Sequence, residues 1–332
     1  MRRLMLALVL AAILAVPAAA GAPPYRAGLA RLDFDHDGPM QAFVWYPTEA
    51  AEAALRFGPF ALAVARDAPV ALGRRFPVVL LSHGGGGTPL LLRDMAAGLA
   101  RDGFMVVAPF HVGDSTARAQ GRAESQRRTR PLSERPKQAR LALDAALADA
   151  RFASQADPRR LGMIGFSLGG YTTLLLAGAR PDLARWASFC RERADPADRA
   201  RVCVGMDGGA AAALSAPDEA VPAFKALVLL DPFALPFGPD GLAALTMPLL
   251  LYRPEREDVL PARFNALALA ASLPRPPLQA TLPGGHFALI GSCPAALAAE
   301  APAVCTDDPP IDRTALQRRL RQEIADFLRR SL

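Results

Sequence analysis

Apolar runs of strand length alternate with segments of helical periodicity along most of this chain. Phe76 to Ser82, Phe104 to Pro109, Leu161 to Phe166, Ala226 to Leu230 and Met247 to Tyr252 are short and almost wholly apolar, the pattern of strands buried on both faces, and Leu278 to Leu282 is a sixth strand-length run. Residues 25–47, ending in Val44-Trp45-Tyr46-Pro47, add two leading strands. Helical patterns occupy residues 89–101, 133–151, 168–179 and 261–272, and a closing helix over 313–330 spaces Leu316, Leu320, Ile324, Phe327 and Leu328 along one face, as docking onto a core requires. Alternation of this kind predicts an α/β fold with a mostly parallel, eight-stranded sheet and helices on both faces. The connection from Pro181 to Pro222 is longer than a simple crossover, holds the glycine-rich run 205–209, and is expected to form a cap-like insertion over a pocket.

At 332 residues and 52% hydrophobic, the chain can bury one large core. Residues 1–20 combine Arg2 and Arg3 with an apolar run from Leu4 to Val16 and a small-residue end at Ala18-Ala19-Ala20, which reads as a secretory signal peptide ahead of a single domain over 21–332. The expected location is secreted or periplasmic, with no membrane span after cleavage. In an oxidising compartment four cysteines suggest two local disulfides, Cys190–Cys203 and Cys293–Cys305, although other connectivities fit the count. The net charge of +6 suits solubility rather than nucleic-acid binding. The densest basic stretch, Arg118 to Arg140, includes Arg127, Arg128, Arg130, Arg135 and Lys137 with no aromatic residue among them; it reads as a solvated loop and helix face.

The chemistry concentrates at Gly165-Phe166-Ser167-Leu168-Gly169, where an apolar strand gives way to an Ala/Leu-rich helix. A serine on such a turn is a candidate nucleophile, because the strained backbone projects its hydroxyl while small neighbours make room. His286, in Gly284-Gly285-His286-Phe287 after the last predicted strand, is the candidate base. Oxyanion donors are expected from the backbone N–H groups of Leu168 and Gly85, the latter in Ser82-His83-Gly84-Gly85-Gly86-Gly87. His83 is expected to brace that loop. For the triad acid, Asp258 comes first and Asp231 second, each following a predicted strand, with Glu257 behind them. Asp33-Phe34-Asp35-His36-Asp37-Gly38 opens like a calcium loop but has Val44 where a bidentate Glu is required; it reads as a polar turn. No metal or cofactor is expected.

With these residues in place, the chain resembles the dienelactone-hydrolase-like branch of the α/β-hydrolase superfamily over nearly all of residues 21–332. Val44-Trp45-Tyr46-Pro47, Ser82-His83-Gly84-Gly85, Asp157-Pro158, Gly165-Phe166-Ser167-Leu168-Gly169-Gly170 and Gly284-Gly285-His286-Phe287 carry the likeness. It is also similar to platelet-activating-factor acetylhydrolases, whose alignment places the acid at Asp231. Cutinase-like polyester hydrolases instead place it after Pro248 to Tyr252, where an ungapped match lands on Glu257. Dienelactone hydrolases proper use cysteine where this chain has Ser167, so lactone specificity does not carry over. The resemblance implies a serine esterase acting on a small-molecule ester through a Ser-His-Asp triad and an acyl-enzyme. An amide-cleaving relative and a catalytically silent binding protein are the rivals.

Overall fold

In the computed structural model, alternate residues of each central strand feed two different cores. Val78 and Leu80 of β5 (Phe76–Ser82), and Leu227 and Leu229 of β8 (Ala226–Leu230), face one cluster, while Val79, Leu81, Val228 and Leu230 face the other. This two-sided burial is why the strands read as continuous apolar runs rather than alternating ones. The residues described are 24–35, 38–114, 124–192, 195–196, 203, 222–307 and 309–332. The segment expected to be a signal peptide and most of the 181–222 connection, including its glycine-rich run, lie outside them.

The sheet has ten strands rather than the expected eight. In spatial order they are β10 (Leu278–Leu282), β9 (Leu249–Pro254), β8, β7 (Ala156–Phe166), β5, β6 (Met105–Pro109), β2 (Pro39–Thr48), β1 (Arg26–Asp35), β4 (Phe60–Arg66) and β3 (Ala53–Phe57). The run from β10 to β6 is parallel throughout, whereas β2 pairs antiparallel with both β6 and β1. The two extra strands form an antiparallel hairpin closed by Gly58-Pro59, with Gly58 at φ +54°, the positive φ that a two-residue hairpin turn favours. Alanines hide this hairpin in the sequence: Phe60, Leu62 and Val64 point inward, but Ala61 and Ala63 between them are too weakly polar to expose the alternation.

Helices cover both faces, as expected. On the β5/β7 side lie α2 (Glu124–Ala148) and α3 (Leu168–Leu176); on the other lie α1 (Arg93–Arg101) and, further along the chain, the closing helix. Within the 181–222 connection, α4 (Leu183–Glu192) buries Trp186, Phe189 and Cys190. Its rings meet Phe233 and Phe264 edge-on at 5.3 and 4.6 Å between centroids. The remaining helices are α5 (Pro239–Leu242), α6 (Ala266–Ser272), α7 (Ala295–Glu300), α8 (Pro302–Cys305) and α9 (Arg313–Ser331). The helix expected from residue 261 begins instead at 266, after a turn held by Asn265, whose side-chain amide nitrogen donates a hydrogen bond to Pro261 O and whose oxygen accepts from Ala234 and Leu235 N–H. Both expected disulfides are present, Cys190–Cys203 and Cys293–Cys305. No described helix is long and apolar enough to cross a membrane.

Candidate active site

Only Ser167 separates β7 from α3, so the chain turns from strand to helix within one residue. The turn puts Ser167 at φ 55°, ψ −118°, a conformation that costs a non-glycine residue about 1–3 kcal/mol and persists only where its surroundings enforce it. They do so through the main chain: Ser167 N–H donates to Leu230 O at 3.0 Å, while Ser167 O accepts from Gly170 N–H at 2.8 Å and Phe233 N–H at 3.0 Å. The helix start also presses against the end of β5. A Cβ at Gly169 would collide with the Ser82 carbonyl, so that position must be glycine.

His286 begins a 3-10 turn just beyond β10 and is 1% exposed. Its Nδ1 lies 2.6 Å from Asp231 Oδ2, and its ring packs on Phe166, the residue preceding Ser167, with centroids 4.7 Å apart. With Nδ1 donating to the carboxylate, Nε2 is left with its lone pair. Asp231 follows β8 directly, at φ 39°, with its N–H donating to Tyr252 O. Burial raises its pKa above the ordinary carboxylate range, and the negative neighbours Asp258 and Glu257 push the same way, against the His286 hydrogen bond, which lowers it.

Of the three candidate acids, Asp231 is the one that lies against the imidazole. Asp258, placed first from sequence, does not touch the imidazole: its Oδ1 accepts the backbone N–H of His286 at 2.8 Å. Strand β9 runs on to Pro254, and the carboxylate four residues beyond reaches the main chain of the histidine turn rather than the ring. Glu257, the third candidate, accepts the N–H of Ala262 at 2.7 Å and caps the turn before α6.

The glycine loop after β5 runs over the nucleophile. A Cβ built on Gly84 would lie 3.3 Å from Ser167 Cβ, and one on Gly85 would lie 3.3 Å from Leu168 Cδ2. Gly85 N–H and Leu168 N–H, the second at the first position of α3, donate to nothing among the described residues. Two free donors therefore lie on adjoining segments beside Ser167. Among the described residues no group of three or more His, Cys, Asp or Glu side chains could hold a metal ion.

Residues 62–201 match the dienelactone hydrolase family. That stretch takes in the glycine loop and the nucleophile turn and ends before Asp231 and His286. Among solved structures, a ferulic acid esterase from Streptomyces cinnamoneus superposes with a TM-score of 0.62 over 96% of this chain and 92% of its own, at 18% sequence identity; a likeness at that identity speaks for the fold. None of the curated proteins matches the chain. Over residues 62–201 the chain is thus similar to dienelactone hydrolases, and its fold as a whole is similar to that of the esterase. A dienelactone is a cyclic carboxylic ester, so ester cleavage is the chemistry that the family match carries.

Around the glycine loop the protein holds a second polar cluster, which the pattern of the sequence does not reveal. Arg135, expected on a solvated face, is 0% exposed. It lies on the apolar stripe of α2, three residues after Leu132 and four before Ala139, both buried. Its guanidinium donates to Asp114 Oδ2, to the carbonyl of His83, to Ser82 Oγ at 3.3 Å and, through Nε, to Thr172 Oγ1 at 3.2 Å. His83 Nε2 accepts the N–H of His111 at 3.3 Å, which leaves its Nδ1–H to donate to Gly84 O at 2.8 Å, the loop-bracing role expected of it. His111 lies between Ser82 Oγ at 3.0 Å and Gln138 Oε1 at 3.3 Å. Burial, reinforced by the charge of Arg135, holds the pKa of both histidines well below the usual value. His111, Asp114 and Gln138 escaped the sequence reading; a charged residue in register with the apolar stripe of α2 was the one available signal.

Proposed function

We propose that the protein is an exported serine esterase in which Ser167 is the nucleophile, His286 the general base and Asp231 the group that orients it. The observation that carries this reading is the buried 2.6 Å contact between His286 Nδ1 and Asp231 Oδ2, with the imidazole lying on the residue next to Ser167. In the first half-reaction His286 Nε2 takes the proton from Ser167 Oγ as the oxygen attacks the ester carbonyl. Asp231 stabilises the imidazolium without itself taking the proton. The N–H groups of Gly85 and Leu168 receive the oxyanion, and collapse of the tetrahedral intermediate expels the alcohol with the proton held by His286. Water then attacks the acyl-enzyme by the same route and releases the acid. Asp258 steadies the histidine turn through its main chain. Two disulfides agree with folding in an oxidising compartment.

The test is hydrolysis of p-nitrophenyl acetate, butyrate and octanoate, together with methyl ferulate because of the structural neighbour, by wild type, Ser167→Ala, His286→Ala, Asp231→Asn and Asp258→Asn. Activity lost with Ser167, His286 and Asp231 but kept with Asp258→Asn supports the assignment. Wild type as inert as Ser167→Ala, and unlabelled by a fluorophosphonate probe, overturns it in favour of a silent scaffold. An anilide of the same acyl group, hydrolysed as fast as the ester, would favour an amidase.

A further inference from the structure

The two proposed oxyanion donors lie on different elements, and neither Gly85 nor Leu168 has a side chain able to fix the direction of its own N–H. Something else must aim them, because an oxyanion hole works only when its donors are fixed before charge develops. The main chain of the glycine loop is held at both ends of the Gly84-Gly85 pair. On one side the carbonyl of His83 accepts from Arg135; on the other, Gly86 N–H donates to Asp114 Oδ1 at 3.0 Å. Arg135 and Asp114 are themselves bonded to each other, so the two holds form one rigid bracket around the peptide that carries Gly85 N–H. The bracket extends to the second donor. Arg135 Nε donates to Thr172 Oγ1, and Thr172 Oγ1 donates in turn to the carbonyl of Leu168 at 3.2 Å.

A fully buried guanidinium is a costly component for a surface helix to place inside a core, since the desolvation of such an ion is offset only by close and complete pairing. Here each nitrogen of the fork is directed at the end of β5 and the loop after it, at Thr172 of α3 or at Asp114, while simple packing of α2 would be served by an apolar residue at this point of its stripe. We propose that Arg135, bridged by Asp114, is a positioning residue that sets the two oxyanion donors of the esterase at one distance and direction. The proposal rests on the reading of Ser167 and the oxyanion hole given above.

The experiment compares wild type with Arg135→Lys, which keeps the charge but not the planar fork, and with Asp114→Asn, which keeps the shape but places an amide N–H against one of its two donors. kcat and KM for p-nitrophenyl butyrate are normalised to the sites titrated to completion with a fluorophosphonate. The inhibition constant of a phenyl trifluoromethyl ketone, whose tetrahedral adduct fills the oxyanion hole, is measured alongside. A positioning role predicts kcat lower by about 100-fold in Arg135→Lys and by about tenfold in Asp114→Asn, with KM within about threefold and the ketone weakened by the same factors as kcat. A merely structural role lowers the unfolding midpoint but leaves kcat per titrated site and ketone affinity within about threefold of wild type, and that result overturns the proposal. Should Arg135→Lys fail to fold, Asp114→Asn, at the partly exposed end of the bracket, decides alone. Failure of the underlying reading is told apart from this, because wild type would then neither hydrolyse the ester nor be labelled at Ser167.

Discussion

Buried histidines lie at two places near Ser167, on Phe166 and along the glycine loop, and the two places treat the same side chain in opposite ways. His286 has a carboxylate at Nδ1 and no hydrogen bond at Nε2 among the described residues. His83 and His111 have both ring nitrogens occupied by neutral partners, a carbonyl, a backbone N–H, a serine hydroxyl and an amide, with a guanidinium beside them. Burial alone does not separate them, since all three are at most 1% exposed. What separates them is the sign of the neighbouring charge and whether a nitrogen is left over. A base needs an anion behind it and a free lone pair in front; a brace needs the reverse.

Replacing Asp231 by asparagine is the most direct way to break this contrast, because it gives His286 the amide partner that Gln138 gives His111. kcat for p-nitrophenyl butyrate should fall by about 10⁴-fold with little change in the unfolding midpoint; near-normal turnover would mean that the charge behind His286 is not what distinguishes the two sides. On the bracing side, His111→Leu leaves Ser82 Oγ and Gln138 Oε1 short of a buried partner and should cost about 2 kcal/mol of stability in urea titrations, with a much smaller change in kcat per titrated site.

Acid sharpens the same contrast. Because burial holds the folded pKa values of His83 and His111 far below 6.5, the unfolded chain takes up protons below about pH 6.5 that the folded chain does not. Stability is therefore complete above that pH and falls beneath it, by at most about 1.4 kcal/mol per pH unit for each histidine. His111→Gln should flatten the decline between pH 6.5 and 5 in paired urea titrations, and an unchanged slope would refute the account. Asp231, whose raised pKa works in the opposite sense, is common to both proteins and cancels. Asp149, held low by its hydrogen bonds to Arg151, acts only below the ordinary carboxylate range. The smallest effect is expected of Asp258→Asn, whose side-chain oxygen can still accept the His286 N–H: kcat should change by about threefold or less, and a loss matching that of Asp231→Asn would reverse the roles assigned to the two aspartates.

Much of this was legible in the chain because both faces of the central strands are buried, and strands of that kind announce themselves as apolar runs. Phe76–Ser82 and Ala226–Leu230 fall where the runs place them, and the turn at Ser167 lies between its expected strand and helix. The hairpin of β3 and β4 was not legible, since alanine carries too little contrast to mark an alternating face. The choice between Asp231 and Asp258 was not legible for a different reason. Both carboxylates do reach His286, one at the ring and one at the main chain, and spacing along the chain cannot tell these apart. Arg135 departs from the solvated face that the run of arginines suggests, because helical phase singles out one member of the run for the buried stripe.

The posture of Ser167 has one more consequence, and it concerns inheritance. At φ 55° the residue that would suit this turn is glycine, which adopts such angles freely. A lineage that no longer needed turnover could exchange the serine for glycine and fold more securely for it, by about 1 kcal/mol. A serine that keeps so uncomfortable a seat is better explained by continued use than by a scaffold long since retired from chemistry.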